Sequence, residues 1–131
     1  MKHTISALAA LASLALPAAA ADVDGKAIFQ KSCAACHQAN GKGIPGAFPA
    51  LAGNAFVQGP AQDPATVLLK GRGGMPDFSA SLSDADMAAV LTYVRASWGN
   101  HADALTEQQV ATLRTALQAP KFAASPLANK H

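Results

Sequence analysis

Met87, Val90, Leu91 and Val94 fall at i, i+3, i+4 and i+7, so a helix through them presents one unbroken apolar stripe. Ser83, with Asp86 three residues on, has the form of a capping box that opens this helix, and Gly99-Asn100 stops it after about Ser97. A further amphipathic segment follows. Thr106 with Gln109 opens it, Val110, Leu113 and Leu117 make its inward face, and Pro120 ends it. Upstream the pattern is shorter. Asp22 or Asp24 opens a helix to about Ser32 with Ile28 and Phe29 as its buried edge. Asp63-Pro64 reads as a cap and a first-position proline for a helix that carries Val67, Leu68 and Leu69 to Gly71. Between these elements, residues 40–59 contain Gly41, Gly43, Pro45, Gly46, Pro49 and Gly53, a composition that excludes long regular structure and predicts a structured loop. A loop of that length needs something to organise it, and a flat cofactor lying against it would do so. Residues 71–81 are irregular as well. No strand pattern and no internal repeat emerges.

The two ends carry different signals. Residues 1–21 read as a secretory signal peptide: Lys2 and His3 start it, Ile5 to Leu16 is mostly Ala and Leu, Pro17 breaks the run, and Ala18–Ala21 supplies small residues for cleavage. The run is too short to span a bilayer, so membrane association is expected only through a partner or through an uncleaved signal acting as an anchor. The domain then covers 22–120, and 121–131 has no period and is expected to be a mobile tail. Cleavage near Ala21 leaves roughly 110 residues, the size of one domain.

Charge removes some function classes. The whole chain has a formal net charge of +2, and Lys2 leaves with the signal, so the exported domain is close to neutral. Nucleic acid would need a concentrated basic face, which this balance does not supply. Aromatic residues are few, so a large buried apolar cofactor would supply much of the core area.

The candidate chemistry sits in five residues, Cys33-Ala34-Ala35-Cys36-His37. Cys-x-x-Cys-His is the attachment signature of c-type haem, in which two thiols add to the porphyrin vinyl groups and the adjacent imidazole meets the iron. These are the only two cysteines in the chain. A thioredoxin-like redox pair is expected beside a βαβ pattern, and none is present. A zinc site needs a second ligand pair, which the remaining histidines do not provide. Attachment of this kind belongs to the periplasm or an equivalent compartment, which agrees with the export signal.

Helix, Cys-x-x-Cys-His, Gly/Pro loop, short helix, Gly-Met-Pro and long helix together resemble a single-haem class I cytochrome c, over Asp24 to about Asn100. The stretches Leu69-Lys70-Gly71-Arg72-Gly73-Gly74-Met75-Pro76 and Leu91 to Asn100 are most similar to cytochrome subunits and domains that accompany periplasmic dehydrogenases. The helix at about 106–118 lies beyond that core. The resemblance implies a small all-α fold around one covalently attached haem c, with the first and long helices crossing near Gly25, Phe29 and Tyr93.

It further implies that Cys33 and Cys36 hold the porphyrin, that His37 is the proximal ligand and that Met75 is the distal one. A soft thioether suits haem iron and raises its potential relative to two nitrogen ligands. Gly73, Gly74 and Pro76 keep the segment around Met75 out of helix. Met87 is a core residue by its stripe position. His101, the rival ligand, reads as a solvated residue after a helix. Pro49-Ala50-Leu51-Ala52-Gly53 matches the family's Pro-x-Leu-x-Gly segment, in which the proline carbonyl accepts the second N–H of the proximal histidine; an ordinary loop proline is the alternative. Leu51 and Leu68 are expected to pack on the ring. Arg72 either pairs a haem propionate or is a solvated charge. Trp98 either closes the pocket or caps the core.

The function expected is one-electron transfer rather than catalysis, because six-coordinate iron has no open site for a substrate. The domain would pass electrons between a dehydrogenase or quinol-oxidising complex and a terminal acceptor such as an oxidase, docking through Ile44, Pro45, Ala47 and Phe48. Two alternatives stand beside it: a fixed cytochrome subunit of a dehydrogenase or oxidase complex, and a five-coordinate haem protein that binds peroxide, NO or CO.

Overall fold

The computed structural model describes residues 22–123. The signal peptide and the part of the tail from 124 onward lie outside the described residues. Six helices follow in order: α1 Gly25–Ser32, α2 Ala34–His37, α3 Ala55–Gln58, α4 Gln62–Lys70, α5 Asp84–Arg95 and α6 Glu107–Ala116. No strand occurs among the described residues; two isolated bridges, Ile44 with Phe48 and Arg72 with Met75, are the extended pairings present. The chain is all-α.

Capping follows the sequence closely. Asp24, rather than Asp22, caps α1, its Oδ1 accepting from Ala27 N–H at 3.0 Å. Ser83 with Asp86 and Thr106 with Gln109 each form both bonds of a capping box, so α5 and α6 begin where those motifs put them. The start of α4 differs from expectation. Asp63 does not cap it: the helix begins at Gln62 after Ala61, and Asp63 lies in its first turn with its N–H bonded to the Pro60 carbonyl at 3.0 Å. Pro64 is tolerated there because first-turn N–H groups have no intrahelical partner to lose. The Gly/Pro segment also holds a helix that its composition hid. Asn54 caps α3 by accepting from Phe56 and Val57 N–H, and Ala55 to Gln58 contain no glycine or proline to stop the turn.

Gly25 decides how α1 and α5 cross. A Cβ there would overlap the carbonyl oxygen of Ala89 and lie 3.1 Å from the Tyr93 Cβ, so a glycine permits the close approach. Phe29, Tyr93 and Trp98 pack around the crossing with ring centroids 5.1–5.7 Å apart. Trp98 packs against the core there, and its ring also fills the space that a side chain on Gly41 would need. The stripe Met87, Val90, Leu91 and Val94 is buried throughout, joined by Leu68 and Leu69 from α4 and by Val110 from α6. α6 thus covers apolar surface of its own domain. The tail does not leave the fold at Lys121, because Ala123 N–H donates to the Ala80 carbonyl at 3.0 Å.

Candidate functional site

α1 and α2 meet at Cys33, which ends the first and precedes the second. His37 and Cys36 N–H both bond to the Cys33 carbonyl, at 3.0 and 3.2 Å, winding the motif into a single helical turn. Residues i, i+3 and i+4 of such a turn share a face, so Cys33, Cys36 and His37 are presented together. Gln38 at φ +66° then redirects the chain. Cys33 is half-buried and Cys36 exposed, and the two are not joined in a disulfide. Burial pushes the Cys33 thiol up to about 11, with the neighbouring Cys36 adding to the effect. A redox disulfide of the thioredoxin kind needs a thiol lowered toward neutrality, the opposite perturbation.

His37 is buried, and its Nδ1 lies 2.9 Å from the Pro49 carbonyl oxygen. A carbonyl only accepts, so Nδ1 is the donor of this contact, and in the neutral imidazole that leaves Nε2 with its lone pair. That is the geometry of a histidine oriented to bind metal, its second nitrogen fixed by an outer acceptor. Gly43 protects the arrangement: its N–H donates to the His37 carbonyl at 2.9 Å, and a Cβ at φ +61° would lie 2.6 Å from the Pro49 carbonyl oxygen.

The loop that carries Pro49 is organised by its own hydrogen bonds. The Gly41 carbonyl accepts from Leu51 and Ala52 N–H at 2.7 and 3.0 Å, and Ile44 exchanges bonds with Phe48. Leu51 is half-buried against the core and Leu68 fully within it. Asn100, which sequence reasoning treated as a helix stop, is buried and ties this loop to the end of α5. It accepts from Gly53 N–H and donates to the Leu51 and Val94 carbonyls. Arg95, equally unsignalled, donates to the carbonyls of Val57, Gly59 and Asp103 and so fixes α3 and the chain before α6. His101 is exposed, its N–H donating to the Gln58 side chain.

Met75 is half-buried against the core and exchanges two backbone bonds with Arg72, at 3.1 and 3.0 Å. Gly71 at φ +73° ends α4 so tightly that a Cβ there would lie 2.9 Å from the Met75 carbonyl oxygen. Phe78 N–H donates to the Leu68 carbonyl at 2.7 Å, so the segment after Met75 is laid back along α4. Arg72 is exposed and stacks its guanidinium 4.9 Å above the Phe56 ring. Met87, by contrast, is wholly enclosed in the core.

The chemistry of this donor set fits a c-type haem. It offers two thiols and an imidazole on one helical face, an Nε2 with no hydrogen bond, and a half-buried thioether held in an irregular segment. Large apolar side chains lie exposed as well, with Ile44, Phe48 and Phe56 each 40–42% accessible.

Comparison with known proteins agrees. Residues 20–94 match the family described as cytochrome c oxidase, cbb3-type, subunit III. The chain is 40% identical over 116 residues to cytochrome c-552 of Thermus thermophilus, a match that covers 76% of this chain and 74% of that protein. It is 37% identical over 90 residues to cytochrome c6 of a Synechocystis species, covering 66% and 75%. It is also 35% identical over 109 residues to the cytochrome c subunit of a quinone alcohol dehydrogenase from Gluconacetobacter polyoxogenes, covering 72% of this chain but 23% of that subunit.

Proposed function

The chain belongs to the class I cytochrome c family and is an electron-transfer protein carrying haem c, and from that premise we propose a periplasmic carrier in which Cys33 and Cys36 hold the haem and His37 and Met75 ligate its iron. When bound, the haem supplies one-electron chemistry by cycling between its ferrous and ferric states. The remainder is the work of the polypeptide. The Pro49 carbonyl, by accepting the Nδ1 proton, holds the His37 ring in one orientation and raises the basicity of Nε2. The Met75 thioether favours the reduced state relative to a nitrogen ligand. Leu51 and Leu68 supply apolar surface for the ring, and Arg72 supplies a permanent cation for a propionate. With His37 and Met75 retained in both oxidation states, little rearrangement would accompany electron transfer.

Ile44, Pro45, Ala47 and Phe48 are all exposed and form the proposed docking surface for redox partners. A dehydrogenase or quinol-oxidising complex would act as donor and a terminal oxidase as acceptor. No helix of the described residues is long and apolar enough to cross a membrane. A second reading, a fixed subunit of a dehydrogenase complex, draws support from the relatives that bear that name. Gel filtration of the native extract separates the two, since a fixed subunit elutes with its complex.

The observation that carries the ligand assignment is the Nδ1 contact of His37 with Pro49. Visible and near-infrared spectra of both redox states test it. The expected result is pigment that acidified organic solvent does not extract, a thioether-to-iron band in the oxidised protein, and a reduced protein that resists CO. Rapid CO binding at neutral pH would instead establish the five-coordinate alternative.

A further inference from the structure

α6 lies outside the residues that match the family, yet its one buried cation reaches back to the segment that follows Met75. Arg114 spends nearly every donor it has. Its Nε donates to Asp84 Oδ1 at 2.7 Å, Nη1 to the carbonyls of Ser79 and Pro120 at 2.6 Å each, and Nη2 to the Leu82 carbonyl at 3.0 Å. Asp84, in the first turn of α5, is its only ion-pair partner among the described residues. The planar guanidinium fork is suited to holding several fixed acceptors at once.

What Arg114 grips is the far end of the methionine segment. Ser79 is fully buried, and both its N–H and its hydroxyl donate to Asp77 Oδ1, at 2.9 and 2.6 Å. Asp77 is two residues from Met75. On the near side Met75 is held by its backbone pair with Arg72 at the end of α4. On the far side it hangs from the Asp77–Ser79 turn, which Arg114 fixes to α6. Ala123 N–H on the Ala80 carbonyl adds a second tie from the C-terminal region to the same turn.

We propose that Arg114 is a positioning residue for Met75: by clasping Ser79 and Leu82 from the added helix, it holds the methionine segment closed over the iron. The proposal rests on Met75 as distal ligand. In the absence of the clasp the Ser79, Leu82 and Pro120 carbonyls lose their shared donor, and the segment opens while α1, α2 and the haem attachment persist.

Imidazole reports this opening, because it competes with the thioether for oxidised iron and its apparent affinity rises with the fraction of open segment. In the haem-bound Arg114→Met protein, imidazole is expected to bind roughly tenfold more tightly than in the parent, with a weakened near-infrared thioether band. Arg114→Lys keeps a cation for Asp84 but lacks the fork, and it is expected to fall between the two. Equal imidazole affinities in parent and Arg114→Met overturn the proposal, even with a lowered urea midpoint, since the arginine then merely holds α6 in place. A parent without the near-infrared band overturns the Met75 assignment itself and this proposal with it. A parent with the band and an unresponsive variant overturns this proposal alone. Where Arg114→Met does not accumulate, Arg114→Lys carries the test, and an imidazole affinity equal to the parent's there overturns the proposal.

Discussion

Asn100 is about 1% exposed and makes three hydrogen bonds that join two parts of the chain far apart in sequence. Its Oδ1 accepts from Gly53 N–H at 2.8 Å, and its Nδ2 donates to Leu51 O at 3.0 Å and Val94 O at 2.9 Å. Asn100→Ala deletes all three. At about 1 kcal/mol net per hydrogen bond the loss is about 3 kcal/mol. Orphaned buried groups push that figure up, while a water entering the vacated amide position pulls it down. For a domain of this size about 3 kcal/mol corresponds to a melting temperature lower by roughly 12–24 °C. Asn100→Asp is the sharper variant. It keeps the acceptor for Gly53 but turns an oxygen toward two carbonyl oxygens and buries a charge, so near neutral pH it should be at least as destabilising as alanine. The same surroundings raise the folded-state pKa of the new carboxyl above its unfolded value. Its neutral form is then favoured in the fold, so part of the lost stability returns as pH falls through that raised pKa. Urea unfolding of the oxidised holoprotein, followed by far-UV circular dichroism, measures both variants. A loss below about 1 kcal/mol for alanine, or a milder effect for aspartate than for alanine at pH 7, would refute the hydrogen-bond account.

Other substitutions address the fold and the site. Gly25→Ala must push α1 off the Ala89 carbonyl and should destabilise by roughly 2–3 kcal/mol, against the usual gain from alanine in a helix; a neutral thermal melt would show that the crossing is not close-packed there. Met87→Ala should lower stability by roughly 2–5 kcal/mol while leaving the near-infrared band intact, because this methionine is core. Met75→Ala should abolish the band and admit CO to the reduced protein; a surviving band would remove Met75 from the iron. Ala47→Glu should slow reduction by a partner without altering the haem spectrum, and an unchanged partner rate would locate docking elsewhere.

The helices were legible wherever the signal is local. The stripe from Met87 to Val94, the two capping boxes and the Asp24 cap each involve residues three or four apart, and the structure has all of them. The Asp63 cap failed for a similarly local reason: the turn from Pro60 already supplies the first bond, so the helix starts two residues earlier. The α3 turn was obscured by the glycines and prolines around it. Within the site, the Cys33–His37 turn was readable because its spacing is that of one helical turn, whereas the contact of His37 with Pro49, twelve residues on, was expected only from the family resemblance.

Sequence alone therefore determined the order of α1, α4, α5 and α6 and carried the Cys-x-x-Cys-His signature at residues 33–37, because near-neighbour geometry follows directly from residue type and spacing. Tertiary structure decided which polar side chains hold the site. Asn100 meets partners 47 and 49 residues away, Arg95 reaches across 38 and Arg114 across 35. Such bonds depend on where buried backbone carbonyls come to rest after the helices pack, and every residue type carries the same carbonyl. No pattern in the chain announces them.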